Sequence, residues 1–235
     1  MPDDVVHLAR IRAKVQEELR SIPDYVCVAD VERLMSGRGQ KSLRKVDTLQ
    51  FEIANSGGRE LYALPGDSSF RDGSLTDSVK GGLVTTGDFS AHAREIFAGS
   101  FTQVQFAGSE RLEGIDALKW SFRVPKFAST WTLLIGRAAD IPESVGYFWA
   151  DPVSDDVLRF EVRAAQLPPG FPARDIVRRV DYSRVTVGDR NAWLPRSSEF
   201  SLIDNYDRRI RNVTRYSDCR QFTAKSNIRF VPTPP

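Results

Sequence analysis

Along most of this chain apolar and polar residues alternate one for one, the period of a strand with one wet face and one dry face. The clearest stretch is 146–164, GYFWADPVSDDVLRFEVRA, which reads as two strands joined by a tight turn at Asp151, Pro152, Ser154 and Asp155. In its second half Leu158, Phe160, Val162 and Ala164 share one face, and Val157, Arg159, Glu161 and Arg163 share the other. The same period predicts strands at about 25–34, 45–54, 59–64, 102–108, 116–124, 129–135, 175–188, 192–203 and 209–220, with a last short one around Ile228 and Phe230. In 116–124 the dry side is Leu118, Trp120, Phe122 and Val124; in 129–135 it is Trp131, Leu133 and Ile135. Ser56, Gly57 and Gly58 read as a hairpin turn and not as a phosphate cradle, because a strand and not a helix follows. In 175–188 the apolar positions change phase, from Val180 and Tyr182 to Val185 and Val187, which predicts a bulge or bend near Ser183. Pro195 predicts an edge or a bulge in its own strand, 192–203.

The period lengthens in two places. Residues 3–22 carry Val5, Leu8, Ile11 or Arg12, Val15, Leu19 and Ile22 along one stripe, an amphipathic helix with Asp3 or Asp4 as its cap and Pro23 as its stop. Residues 67–99 hold a polar, glycine-punctuated segment (Gly73, Gly81, Gly82) and a short helix, FSAHAREIF, capped by Thr86 or Asp88; together they form an insertion long enough to act as a lid. The tail 231–235, VPTPP, reads as extended.

About eleven one-sided strands cannot lie flat in water. If each of roughly two dozen inward side chains contributes about 1.5–3 kcal/mol on burial, an uncovered dry face would overwhelm a net stability of roughly 5–15 kcal/mol. With few helices available as cover, the predicted architecture is mainly β: one domain over 1–235, with residues 25–230 in a strongly curved antiparallel half-barrel and the helices over its mouth. The hollow beneath them is the candidate ligand site, lined by Trp120, Phe122, Trp131, Leu158 and Phe160; the competing reading is that these side chains are close-packed core.

Composition adds limits. Hydrophobic residues are 41% and charged residues 27%, with Lys and Arg exceeding Asp and Glu by 33 to 31, so nothing points to a nucleic-acid partner. Arginine clusters at Arg178 and Arg179, and at Arg208, Arg209 and Arg211, and the strand period places these mostly on wet faces. No apolar run is long enough to span a bilayer. The start, Met1-Pro2-Asp3-Asp4, has neither the basic nor the apolar part of a secretory leader, which leaves a cytoplasmic protein or one whose leader has been removed. Cys27 and Cys219, near the two ends, read either as a disulfide closing a very long loop or as two buried thiols. The two histidines, His7 and His92, lack the neighbours of a catalytic base or a metal ligand set, so no metal, cofactor or catalytic residue is predicted. Asp151, Asp155 and Asp156 resemble a carboxylate cluster, but a turn favours Asp for backbone reasons.

Three stretches taken together, LARIRAKVQEELRSIPDYVCVADVERL, FWADPVSDDVLRFEVRA and WLPRSSEF, resemble in order the Lol-type lipoprotein carriers and their outer-membrane lipoprotein-sorting relatives. More closely, YVC at Tyr25–Cys27 and SxCRxF at Ser217–Phe222 resemble exported bacterial proteins of unassigned function. The resemblance implies a curved half-barrel closed by helices, a periplasmic or exported location, and a hollow that in the carriers holds acyl chains. It does not place the carriers' gating arginine on any arginine here, and residues 67–99 and the cysteine pair are not carrier features. Two functions follow as expectations. One is non-catalytic binding or carriage of a lipid, acyl chain or lipoprotein by a monomer in the cell envelope. The alternative is an envelope protein–protein interaction module with a filled core.

Overall fold

The computed structural model describes residues 2–57, 59–65, 67, 70–72 and 90–222. The expectations placed on most of the 67–99 insertion, Ile228, Phe230 and the tail lie outside the described residues, and the helix read in FSAHAREIF is Ala91–Ala98 with Ser90, not Thr86 or Asp88, at its N-cap position. Helix α1 (Asp3–Ser21) buries Ile11, Val15 and Leu19, the stripe its spacing predicts. Pro2, and not Asp3 or Asp4, holds the N-cap position; the two aspartates sit in the first turn, where their charge still complements the helix dipole.

The strands are β1 (Tyr25–Met35), β2 (Arg44–Ser56), β3 (Arg59–Ala63), β4 (Arg71–Asp72), β5 (Gln103–Leu112), β6 (Ile115–Val124), β7 (Leu133–Ile135), β8 (Ala138–Asp140), β9 (Glu143–Ala150), β10 (Val157–Ala165), β11 (Ala173–Val187), β12 (Arg190–Asp204) and β13 (Arg209–Gln221), with helix α2 (Ala91–Ala98) between β4 and β5. Eleven of them form one curved, open antiparallel sheet in the order β4-β3-β2-β1-β13-β12-β11-β10-β9-β6-β5. Strand β13 pairs with β1, so the end of the described chain lies beside its beginning. At that seam β13 carries an extra residue: Val26 faces Arg220 while Val28 faces Ser217. Asp218 takes a left-handed φ of 49° there, and Cys219 is bonded to Cys27 across the seam.

The dry face is covered in two ways. Over β6 and β9–β12, α1 and α2 pack on a core that includes Trp120, Phe148, Phe160 and Ile176. Over β1–β3 the cover is the tip of the β11–β12 hairpin, whose Val187, Ala192 and Leu194 join Tyr25, Cys27, Phe51 and Ile53 in a second core. This explains the phase change read in 175–188. The tip is buried on both sides, with Tyr182 and Trp193 toward the first core and Val185 and Val187 toward the second. The bulge itself lies across the ladder: Asp181 faces Ser197 and Tyr182 faces Pro195, so the extra residue is Arg196 of β12. Strand β12 is central, yet Pro195 is tolerated, because the β12–β13 ladder begins only at Ser197.

Two further expectations are corrected. Residues 129–135 do not join the main sheet: only Leu133–Ile135 is strand, paired with β8 in a separate two-stranded ribbon, and Trp131 lies in the loop before it. The single alternation read over Val157–Ala164 breaks at its start. Val157 faces Ala150 and Arg159 faces Trp149, so a bulge turns Val157 into the main core and Leu158 to the opposite side of the sheet.

Gly146 in β9 lets neighbouring strands close up. A methyl group there would lie 1.9 Å from the Glu161 carbonyl oxygen and 3.1 Å from Cζ of Phe122. Gly146→Ala is therefore expected to lower the free energy of unfolding by about 1–3 kcal/mol in urea denaturation. Removing the Cys27–Cys219 bond, whose residues are 192 apart in sequence, by alanine at both positions is expected to cost about 2–5 kcal/mol in the same assay.

Candidate functional site

The concave face is ordered in transverse rows, because direct cross-strand partners point the same way. One row runs Phe106, Trp120, Phe148, Phe160, Val180, Ser198, Thr214, Val31. Its neighbour runs Phe122, Gly146, Val162, Arg178, Phe200, Asn212, Arg33, Asp47. Each row starts aromatic and turns polar past the middle of the sheet. At the aromatic end Trp120 and Phe148 stack with centroids 5.2 Å apart, Phe160 meets Phe148 and Tyr182 edge-on, and Tyr182 stacks on Trp193 at 4.0 Å. In the polar band Arg178, Ser198, Asn212 and Thr214 are buried, and Arg33 pairs with Asp47. Arg178 is thus not on a wet face, as its neighbourhood suggested; it shares the side of Ile176 and Val180.

The helices close the aromatic end. The ring of Phe97 lies 5.0 Å from Phe148 and 5.7 Å from Phe160, with Ile96 and Ala93 beside it and Ile11, Val15 and Leu19 of α1 completing the layer. Gln16 Nε2 donates to the Phe97 carbonyl at 2.8 Å, so the two helices are tied to each other. Under α2 lies a buried polar knot that the sequence reading missed. Glu95 accepts the Thr130 N–H at 2.7 Å and sits 3.6 Å from His92 Nδ1, while the His92 ring stands edge-on to Trp131 at 5.2 Å. The i, i+3 spacing of His92 and Glu95 was the available signal.

Helix α1 is fastened along its wet side. His7 Nδ1 lies 2.7 Å from Asp155 Oδ1; Lys14 reaches the Ser154 carbonyl at 2.7 Å and Asp156 at 2.9 Å; Arg184 bridges Glu18 and Asp156, each at 2.5 Å. This accounts for the aspartates of the β9–β10 turn. Asp151 accepts the N–H groups of Val153 and Ser154, both at 2.8 Å, and Asp155 and Asp156 hold the helix. Among the described residues no group of three or more His, Cys, Asp or Glu is placed to hold a metal ion.

Of the residues read as lining the hollow, Trp120, Phe122 and Phe160 stand on the concave wall, and Trp131 reaches the same core from its loop beneath α2. Leu158 does not join them; the bulge sends it outward to Leu112, Ala117 and Trp149. The hollow between helices and wall is occupied by the helices' own apolar side chains. What the arrangement offers chemically is a large aromatic wall, closed by a layer held through hydrogen bonds and ion pairs.

Those fastenings are sensitive to acid. Burial pushes the Glu95 carboxyl up, but His92, the Thr130 N–H and Ser129 together outweigh it and hold it below the usual carboxylate range. Asp156 behaves alike: burial raises it, and Arg184 and Lys14 more than compensate. A carboxyl whose folded pKa is depressed contributes stability that is present above its unfolded value, about 4, and is lost as pH falls through the folded one. A Glu95→Gln, Asp156→Asn variant is therefore expected to be less stable than the parent at pH 7, by about 2 kcal/mol or more. Its Tm should also vary less between pH 5 and pH 2; parallel Tm curves would contradict this.

No protein-family model and no curated protein matches the chain. Among solved structures it is similar to a DUF1329-family protein from Desulfovibrio piger, at 11% identity over 96% of each chain with a TM-score of 0.50. It is also similar to a LolA-superfamily protein from Nitrosomonas europaea (10% identity, 91% of this chain and 94% of that one, TM-score 0.42). A third is an outer membrane lipoprotein-sorting protein domain from Vibrio parahaemolyticus (12%, 92% and 93%, TM-score 0.45). At these identities the likeness speaks to fold: a mainly β, curved, open antiparallel sheet with helices.

Proposed function

We propose that the protein is a non-catalytic binder or carrier of an apolar ligand, a lipid or the acyl chain of a lipoprotein, acting in the bacterial cell envelope. The observation that carries this reading is the concave aromatic wall, which among the described residues is covered over β6 and β9–β12 by α1 and α2, with Trp131 and the small β7–β8 ribbon beside them, and not by a strand layer hydrogen-bonded to the wall. Displacing α2 takes Phe97 off Phe148 and Phe160 and leaves an apolar surface for a chain, driven by about 0.8 kcal/mol for each methylene buried. The buried polar band further along the rows suits the polar end of an amphiphile. In this reading Phe97 competes with the ligand for one place.

Phe97→Ala is expected to tighten binding of a dansyl-labelled fatty acid on the order of tenfold, because the ligand no longer displaces a buried ring. Native mass spectrometry of the protein purified from membranes is expected to show bound lipid. A variant that loses stability yet gains no affinity, together with a lipid-free mass spectrum, would sink the carrier reading.

The filled hollow favours a second reading, an envelope protein-interaction module. Phe101 and Phe127 are 60% and 77% exposed and touch each other at 5.2 Å near the free edge strand β5, a surface suited to a protein partner. In that case Phe97→Ala changes stability alone, and a Phe101→Ser, Phe127→Ser variant abolishes capture of the partner while leaving Tm within about 2 °C.

A further inference from the structure

The ladder between β10 and β11 runs from Arg163–Val177 only as far as Arg159–Asp181. Beyond it β10 bulges at Val157–Leu158 and β12 at Arg196, so the β9–β10 and β11–β12 hairpins part and leave an opening of about 330 Å³. Its floor is Val157, Tyr182 and Trp193, which belong to the main core; its outer wall is Leu158 with Leu112 and Ile115 from the β5–β6 turn. The opening therefore connects the convex side of the sheet with the aromatic core. Where the ladder lapses, the Val157 carbonyl takes its hydrogen from the Trp193 indole N–H at 2.8 Å, which pins the ring at the floor.

Most charges at the mouth are paired with one another, and Asp151 accepts the N–H groups of its own turn. Glu113 pairs with Arg196 and with Arg159 at 3.0 Å; Arg159 also pairs with Asp181; Arg184 pairs with Asp156. Around the half-buried pairs, Arg159–Asp181 and Arg184–Asp156, a charged ligand would have to break the pair and leave its partner poorly solvated. A hydrocarbon need not. The volume is at the lower end of the roughly 300–1,000 Å³ of ligand pockets and about twice the roughly 150 Å³ of an apolar cavity that admits benzene.

We propose that the gap where β10 and β11 part is a second binding site, for one uncharged hydrocarbon group entering from the convex face and seating on Val157, Tyr182 and Trp193. It requires neither helix to move and so stands apart from the carrier reading.

The test is titration with N-phenyl-1-naphthylamine, a neutral apolar fluorophore, while the indole N–H resonances of ¹⁵N-labelled tryptophan are followed. Saturable binding is expected, with the Trp193 resonance shifting and that of Trp131, beneath α2, unmoved. Leu158→Glu and Ile115→Glu are each expected to weaken binding at least about tenfold. Ile115 is 39% exposed at a turn, so its variant keeps the fold even if that at Leu158 does not. Absence of saturable binding overturns the proposal, as does affinity within about twofold of the parent in the Ile115 variant. So does a shift of Trp131 without Trp193 that responds to Phe97→Ala, which would place the probe under the helices instead.

Discussion

The rest of the structure follows from one constraint: a sheet of eleven strands whose concave face is apolar over β6 and β9–β11 and again over β1–β3 must keep those surfaces from water. Cross-strand pairing gathers the apolar side chains, since partners such as Trp120, Phe148 and Phe160 stand directly opposite one another and point the same way. Curvature alone does not satisfy it. Something must lie in the concavity, and the chain supplies two different covers.

The covers differ in how they are attached. Over β1–β3 the cover is the sheet's own β11–β12 hairpin, continuous with the strands beneath the helices, at the end of the sheet where Cys27 and Cys219 join the first strand to the last. It cannot leave without dismantling the sheet. Over β6 and β9–β12 the cover is α1 and α2, joined to the sheet by apolar contact, by the Glu95 knot and by the salt-linked seam from His7 to Glu18. No strand pairing is lost if that layer lifts. On the proposed carrier reading, a ligand that gains more from the aromatic wall than Phe97 and Ile96 do takes their place without unfolding the protein.

Much of the fold was legible because strand alternation is a direct imprint of a one-sided face: Leu118 to Val124 and Phe160 to Ala164 read correctly from their spacing alone. Errors fell where a single residue slips. Val157–Leu158 inserts one residue into a ladder without a proline to mark it, as Pro195 marked the bulge at Arg196, and one residue is enough to turn every side chain beyond it to the other face, which is why Leu158 was misplaced. Spacing also cannot reveal that a hairpin tip is dry on both sides, so Val185 and Val187 looked like a bend in β11. Of the site, the wall was visible in the sequence and its plug was not. Phe97 was one apolar residue on a short helix, and only the fold brings it onto Phe148 and Phe160. The polar knot was equally hidden, because Thr130 lies 35 residues from Glu95.

The separability of the helical layer is tested most directly by native-state hydrogen exchange at increasing urea. If the layer is a cover and not part of an indivisible core, the amides of α1 and α2 exchange together through an opening of lower free energy and smaller urea dependence than the amides of β9–β12. If helix and strand amides exchange with one free energy and one urea dependence, the helices leave only when everything does, and the account fails.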